Sequence, residues 1–148
     1  MDEDKKPMDI LTLFQKALGD KVVEFDLPPP SFTVMGCEII AYDEKEKSLT
    51  TKIPVSKQWA NAYGTMQGGM IEAAIDNAVG PLSLLIAPSN MTRTMETKFI
   101  KAISTKIAYI YVHAQLVEQK KRRLTFEAYV EDVEGILYAS SKIVNFMI

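Results

Sequence analysis

The stretch that decides the fold runs from Asn61 to Pro81 and reads NAYGTMQGGMIEAAIDNAVGP. It opens with polar residues, and the pair Gly68-Gly69 predicts a turn into a helix, because glycine lets backbone approach a ligand or another chain. Residues 70–79 include several good helix formers and are apolar around most of the helix circumference, and Pro81 is the predicted stop. This pattern predicts a helix buried in the middle of a domain.

Two acids, Glu72 and Asp76, interrupt this apolar helix. Burying a carboxylate without a partner is costly, so an acid kept in such a helix indicates a function. The two acids are one helical turn apart, and as neighbours they would disfavour double ionisation and raise one pKa. The alternative for Glu72 is an ion pair with a lysine, and the alternative for Asp76 is a solvent-facing or ion-paired helix acid.

Composition narrows the class of protein. The chain has 148 residues, 47% of them hydrophobic, which predicts one domain with a full core. Its 17 basic and 19 acidic residues give a net charge of −2 and predict no nucleic-acid partner. The single cysteine, Cys37, fits a reducing compartment, and the only histidine, His113, is far from it, which predicts no metal site. No apolar run of about 18 residues and no signal-peptide pattern is visible, so we expect a cytoplasmic protein without a membrane partner.

The first 30 residues are predicted to form an addition to the main domain. Apolar residues recur at helical spacing after Asp9, the predicted N-cap, and Gly19 is the predicted end of this helix. The prolines at positions 28–30 predict a stiff extended linker. We therefore divide the chain into residues 1–30, a helix with its proline-rich linker, and residues 31–148, the main domain.

Strand patterns flank the central helix on both sides, with a hairpin before it and four strands after it. The predicted strands are residues 31–42, 48–55, 92–99, 106–119, 124–131 and 136–147. Both faces of the strand 106–119 are rich in apolar or aromatic residues, so we expect one face to meet the helix and the other a partner. One apolar helix followed by an antiparallel meander predicts an α+β fold in which the sheet wraps the helix.

The residues Asn61-x-x-Gly64-x-x-Gln67-Gly68-Gly69, followed by Asp76, resemble a known signature. The pattern is similar to N-x-x-G-x-x-H-G-G…D of the hotdog-fold acyl-CoA thioesterases, in the 4-hydroxybenzoyl-CoA and phenylacetate-pathway branch. The resemblance extends over residues 32–147. It implies a hotdog fold, an antiparallel sheet wrapped around one central helix, here with an extra N-terminal helix. It also implies a homodimer or a dimer of dimers.

One residue departs from this signature, because Gln67 stands where the family usually has histidine. Glutamine can hydrogen-bond through its amide but cannot exchange a proton near neutrality. The resemblance implies that this histidine mostly positions other groups while the helix acid carries the chemistry. Loss of activity is therefore one reading of Gln67, and retained activity is the other.

Thioester hydrolysis needs a group that polarises the carbonyl and a group that activates water. The N–H of Gly68, at a helix start, suits the first task, and Asp76 suits the second as general base or nucleophile. Eight residues of helix separate the two by roughly 12 Å, so both can act on one carbonyl only if the site is shared between two subunits. The alternative for Gly68 is a plain tight turn.

Other site residues are predicted with less specific roles. Asn61 can orient the water or the thioester oxygen, Gln67 can hold the loop, and Thr94 can place a hydroxyl beside the water. Their alternatives are an ordinary loop asparagine, a structural glutamine and a plain strand threonine. The predicted substrate-binding residues are Met66, Gly69, Met70 and Lys98.

The sequence thus predicts an enzyme, an acyl-CoA thioesterase that needs no separate cofactor because CoA is part of its substrate. The alternative is a non-catalytic acyl-CoA or lipid binding protein of the same fold, which Gln67 favours. A dehydratase is disfavoured, since the only histidine, His113, lies mid-strand outside any such motif. The sequence identifies neither the acyl group nor the choice between dimer and tetramer.

Overall fold

The computed structural model describes residues 6–148 as one antiparallel sheet wrapped around a long helix. In chain order the elements are α1 (Ile10–Leu18), α2 (Pro30–Val34), β1 (Glu38–Asp43), β2 (Ser48–Pro54), α3 (Gly68–Ile86), β3 (Asn90–Phe99), β4 (Tyr109–Lys120), β5 (Arg123–Glu131) and β6 (Leu137–Met147). The strand order across the sheet is β1-β2-β4-β5-β6-β3. The predicted α+β architecture, with a central helix and an extra N-terminal helix, is confirmed.

The core lies between α3 and one face of the sheet. Ile75, Val79 and Leu82 of the helix are fully buried, and they pack against alternate residues of the strands. In β4 the helix-facing residues include Ile110 and Val112. The opposite side of the sheet, which we call the outer face, carries the residues between them. Alternation therefore fixes which side chains can reach the central helix.

The central helix is longer than the sequence predicted. It spans 19 residues and continues past Pro81, which lies inside it and is buried. Proline removes one helical hydrogen bond, at a cost of about 3 kcal/mol. Burial of Leu82 and packing of Leu85 against the core hold the chain in the helix beyond that point. The prediction that Pro81 ends the helix was wrong.

The full helix also corrects the expectation that no apolar run reaches the length of a membrane span. By length and composition alone, α3 passes that test, with a mean hydropathy of 1.3. Half of the tested window is buried inside the fold, as expected for the core helix around which the sheet wraps.

The segment predicted as the first strand, residues 31–42, is partly helical. Residues Pro30–Val34 form a short helix, and the strand begins only at Glu38. Proline is favoured at the start of a helix because its fixed φ suits that position and its missing N–H is not needed there. The short helix buries Phe32, and Met35 beyond it, in the core, which a straight strand would not do.

The N-terminal helix follows the prediction. The Asp9 side chain accepts a hydrogen bond from the Leu11 N–H at 3.1 Å, and Gly19 at the other end has φ of 58°. Phe14 points inward and is fully buried. A cap at each end and one deeply buried aromatic residue explain why this surface helix is formed.

Candidate active site

The start of α3 presents two free backbone donors. Gln67, the N-cap, is extended, and its carbonyl accepts the N–H groups of Met70 at 2.9 Å and Ile71 at 3.1 Å. The N–H groups of Gly68 and Gly69 have no hydrogen-bond partner within residues 6–148. Unpaired N–H groups at the positive end of the helix dipole favour a negative oxygen.

A cavity of about 260 Å³ opens beside these donors. The residues that line it are Met66, Gly68, Ile71, Phe99, Ile100, Lys101 and Ala102. A Cβ added at Gly68 would lie 3.4 Å from the Phe99 ring, an ordinary contact distance, so this ring packs close over Gly68. Apart from Lys101 the side chains are apolar, so the cavity suits an apolar group next to the Gly68 N–H.

The loop before the helix is held by Asn61. Its Oδ1 accepts the N–H groups of Tyr63 at 2.9 Å and Thr65 at 3.2 Å, and its Nδ2 is 2.9 Å from the Thr65 hydroxyl. The Met66 N–H then donates to the Ile103 carbonyl at 2.8 Å, which ties the loop to the segment that follows β3. The Asn61 side chain thus stabilises the turn that leads to Gly68.

Asp76 lies on the solvent side of α3 and, among residues 6–148, has one side-chain partner. The Thr92 hydroxyl donates to its Oδ1 at 3.2 Å. Burial raises the pKa of Asp76, and the Thr92 hydrogen bond lowers it less. The residue is exposed in the single chain, yet atoms of the helix and of the neighbouring strand partly shield its carboxyl from solvent. The upward shift of this pKa favours a carboxylate that can accept a proton.

Thr92, and not Thr94, is the threonine beside Asp76. A β-bulge between Thr92 and Thr94 leaves Arg93 without a partner in β6. Thr94 is paired with Val144, on the outer face, while Thr92 is paired with Asn145 on the helix-facing side. The sequence reasoning missed Thr92 because a simple period of two cannot show a bulge, which changes the phase of the strand.

The structure brings some predicted site residues together and keeps others apart. Met66 and Gly68 line the cavity, their chain neighbours Gln67 and Gly69 are exposed, and Met70 packs half-buried against the core. Asp76 lies two turns further along α3, roughly 12 Å from Gly68. Gly80 lies one turn after Asp76 on the same exposed side of α3, and a Cβ added there would have no neighbour within 4 Å.

No family model and no curated protein matches this chain. Several solved structures match this chain at low sequence identity. A phenylacetic acid degradation-related protein from Ralstonia eutropha JMP134, named as an inferred thioesterase, matches with a TM-score of 0.76 and 19% identity, over 86% of this chain and 97% of its own. The E. coli PaaI protein, from the phenylacetic acid degradation operon, matches with a TM-score of 0.76 and 15% identity, over 95% and 96%. The chain has the hotdog fold.

One hotdog neighbour has coenzyme A bound. This Streptococcus pneumoniae TIGR4 protein, named as a hypothetical thioesterase, has a TM-score of 0.69 and 16% identity, over 76% of this chain and 85% of its own. At such identities the likeness shows the fold. The chemistry must be argued from the residues of this chain.

Lys98 is on the opposite side of the hotdog sheet from the cavity. It lines a groove of about 780 Å³ on the outer face, together with His113 and Tyr129. The cation beside the Gly68 donors is Lys101. Within residues 6–148, no three His, Cys, Asp or Glu side chains lie close enough together to hold a metal ion.

The arrangement can do two things chemically. The helix start can stabilise negative charge on an oxygen next to an apolar cavity. Asp76, with its raised pKa and its Thr92 contact, can take a proton from water. A single chain does not bring the two to one point.

Proposed function

We propose that this protein hydrolyses an acyl-CoA thioester to a free acid and CoA. The observation that carries the proposal is the helix α3, which combines the free N–H groups of Gly68 and Gly69 with a partly desolvated acid, Asp76. Thioester hydrolysis requires both a carbonyl polariser and a proton acceptor. The CoA-bound hotdog neighbour supports the choice of substrate class.

We further propose that each site is shared between two copies of the chain. Asp76 and Gly68 are roughly 12 Å apart along one helix. Asp76 lies on an exposed stripe of α3, next to the edge strand β3 with its exposed Met91 and Phe99. An edge strand with exposed apolar residues is suited to pairing with a second copy. Asp76 of one copy then faces Gly68 of the other, in a homodimer or a dimer of dimers.

In the proposed reaction the thioester oxygen lies on the Gly68 N–H. Water attacks the carbonyl carbon while Asp76 takes one of its protons, and the tetrahedral intermediate carries its charge on the oxygen held by the helix. Collapse breaks the C–S bond, and protonated Asp76 returns the proton to the CoA thiolate. In a variant of this route, Asp76 attacks the carbonyl itself and water hydrolyses the resulting anhydride. No separate cofactor enters either route.

Gln67 fits this proposal because no step needs it to exchange a proton. Its N–H donates to the Trp59 carbonyl at 2.8 Å, and its carbonyl closes the first turn of α3. Both are main-chain contacts. The unpaired Cys37 supports a cytoplasmic setting, in which thiols stay reduced.

The test is a thiol-release assay on the purified protein with short, medium, long and aromatic acyl-CoAs. We expect turnover of one class and a loss of about a hundredfold or more in kcat for Asp76→Asn. Cys37 does not disturb a thiol-specific dye, because burial raises the pKa of its thiol to about 12. Turnover that Asp76→Asn leaves unchanged would overturn the mechanism.

A second candidate is a non-catalytic acyl-CoA or lipid binding protein, favoured by Gln67 in the position of the signature histidine. It predicts that acyl-CoA binds in calorimetry and is recovered intact from the folded dimer. In that case Gln67→His is the variant to examine for regained turnover. An acyl-CoA series without any binding would count against both candidates.

A further inference from the structure

A buried asparagine lies beside the Asp76–Thr92 pair. Asn145 of β6 is only 2% exposed and is paired directly opposite Thr92 of β3. Both are on the helix-facing side of the sheet, where Thr92 contacts Asp76. Directly opposed side chains have Cβ atoms about 4.5–5.5 Å apart, and such pairs can hydrogen-bond to each other. Asn145 is therefore within reach of the hydroxyl that holds Asp76.

The orientation of the Asn145 amide is fixed by a chain of contacts. Asn90 Nδ2 donates to the Pro88 carbonyl at 2.9 Å, so Asn90 Oδ1 is left as an acceptor. Asn145 Nδ2 donates to that oxygen at 2.8 Å. The remaining atom, Asn145 Oδ1, is buried and finds no donor within residues 6–148. A buried acceptor without a partner is costly and calls for an explanation.

We propose that Asn145 Oδ1 accepts a hydrogen bond from the Thr92 hydroxyl when Asp76 takes up a proton. Asn145 is then a positioning residue for the proposed hydrolysis. The inference rests on the function proposed above and concerns the same site. In this arrangement the unpaired Asn145 Oδ1 gains a hydrogen-bond donor.

The hydrogen bonds reverse direction in two steps. While Asp76 is ionised, the Thr92 hydroxyl donates to its Oδ1. When water gives a proton to Asp76, the new carboxyl O–H can donate to the Thr92 oxygen, and the Thr92 O–H turns to Asn145 Oδ1. Thr92 keeps its own proton throughout. Without Asn145, the Thr92 hydroxyl would lose its buried acceptor at that moment, and the protonated carboxyl would be less well held.

Few ionisable groups of residues 6–148 lie near Asp76, so the hydrogen bonds of Thr92 and Asn145 can influence its pKa. From β3, Thr92 and Met95 face the helix, and the sides of β2, β4, β5 and α1 that pack on α3 carry uncharged residues. On α3 itself, Glu72 is the ionisable neighbour, one turn earlier. Desolvation and Thr92 account for the pKa shift of Asp76, and no charged side chain is among its causes.

The test is an NMR titration of the Asp76 carboxyl in protein labelled with ¹³C-aspartate. Thr92→Val removes the donor to the ionised form, so the pKa of Asp76 should rise. Asn145→Leu removes the acceptor for the reversed hydroxyl, so this pKa should fall by about 0.5 to 1. In the Thr92→Val background, Asn145→Leu should have no further effect, because the two residues act through one hydroxyl.

Thr51→Val is the matched control. Its Oγ1 is also fully buried on the helix-facing side without a partner within residues 6–148, but it lies in β2, with three strands between it and β3. We expect it to leave the pKa of Asp76 unchanged. An equal shift in Thr51→Val, or a shift of the same size for Asn145→Leu with and without Thr92, would overturn the inference.

Two further readouts keep the outcome decisive. If Asn145→Leu does not fold, Asn145→Ala takes its place, and an unchanged pKa of Asp76 there overturns the inference. If the wild-type protein hydrolyses acyl-CoA, the acid limb of its kcat/KM profile should move with the pKa. If it hydrolyses none, the proposed function fails, while the titration still decides whether Asn145 acts on Asp76.

Discussion

At the scale of single residues, Asp76 combines a helix position, a partly desolvated carboxyl and one hydroxyl donor. Its raised pKa means that the ionised form is better accommodated in the unfolded chain than in the fold. The penalty is present above the folded pKa and disappears once the pH falls below the ordinary value of 3.8. Such a penalty is consistent with the role of proton acceptor that we propose for Asp76.

We predict that Asp76→Asn is more stable than the wild type at pH 7, because the amide carries no charge to desolvate and can still accept from Thr92. Thermal unfolding of both proteins between pH 3 and pH 8 measures the difference in Tm. The gap should close as the pH falls toward 3.8. A variant less stable at pH 7 would show that the Asp76 charge stabilises this fold.

His113 illustrates a different use of a titratable residue. Its Nδ1 is 2.9 Å from the Thr50 hydroxyl and its Nε2 is 2.9 Å from Glu131 Oε1, while Tyr129 stacks on the ring. Burial lowers the pKa of His113, and the hydrogen bond to Glu131 partly opposes this. The ring is therefore neutral at pH 7, with its proton on the nitrogen that faces Glu131.

We predict that protonation of His113 destabilises the fold in mild acid. A folded pKa below the ordinary 6.5 means that its stabilising contribution is complete above pH 6.5 and is lost as the pH falls toward the folded pKa. Urea unfolding of wild type and His113→Gln, from pH 8 to pH 5, checks this. The stability advantage of the wild type should shrink on acidification, and a constant advantage would contradict the prediction.

At the scale of elements, the first residue of α3 offers a sharp test of the carbonyl polariser. Gly68→Pro removes the N–H while keeping the helix, because proline suits the first helical position. The preceding Gln67 has φ of −63° and ψ of 140°, which a following proline tolerates. We predict a loss of roughly 10²- to 10³-fold in kcat, the usual effect of removing an oxyanion donor.

Gly68→Ala is the control for that substitution. It adds the same Cβ, which meets the Phe99 ring at an ordinary 3.4 Å, and it keeps the N–H. We expect most of the activity to remain in this variant. Equal losses in Gly68→Ala and Gly68→Pro would mean that space beneath Phe99, rather than the donor, is what the site requires.

Phe14 is the most deeply buried residue of the N-terminal helix α1, in which Ile10 and Leu13 also pack half-buried against the core. Phe14 is 0% exposed, whereas Leu11 on the same helix is 42% exposed. We predict that Phe14→Ala lowers the free energy of unfolding by about 3 kcal/mol or more, through lost burial and the cavity it leaves. Leu11→Ala should change it by only about 0.5 kcal/mol or less. Urea unfolding of both variants measures the contrast, and similar costs would show that α1 is not anchored by Phe14.

At the scale of the whole molecule, the shared site can be tested by mixing two inactive proteins. In a heterodimer of Asp76→Asn with Gly68→Pro, one site combines the intact Gly68 of the first chain with the intact Asp76 of the second. Random re-pairing makes half of the dimers mixed, with one working site each. We therefore predict recovery of about a quarter of the wild-type rate.

The mixing experiment has a built-in comparison, since each variant alone should stay inactive after the same dissociation and re-pairing. Sedimentation or light scattering verifies that the proteins are dimers or larger. Mixed dimers without any recovered thiol release would show that each site lies within one chain. Recovery would assign Asp76 and Gly68 to opposite walls of one site.

The sequence by itself determined where most of the strands lie and where the central helix begins. The cap at Asp9, the glycines before α3 and the alternation of the strands are local patterns, so the residues state them directly. The signature from Asn61 to Asp76 led to the hotdog fold because its spacing reflects the loop, the turn and the helix in order. The meander of β4, β5 and β6 followed from its short turns, but β3 pairs with β6 at the edge of the sheet rather than with β4, which the expected four-strand meander did not predict.

Only the tertiary structure decided the rest. The helix continues past Pro81 because the residues beyond it pack in the core. Residues 30–34 form a helix because this conformation buries Phe32 in the core. The bulge at Arg93 selects Thr92 as the partner of Asp76, and the register of β3 with β6 brings Asn145 beside it. These outcomes depend on contacts between residues far apart in sequence. Local propensity cannot encode them, since burial and register are properties of the assembled sheet and helix.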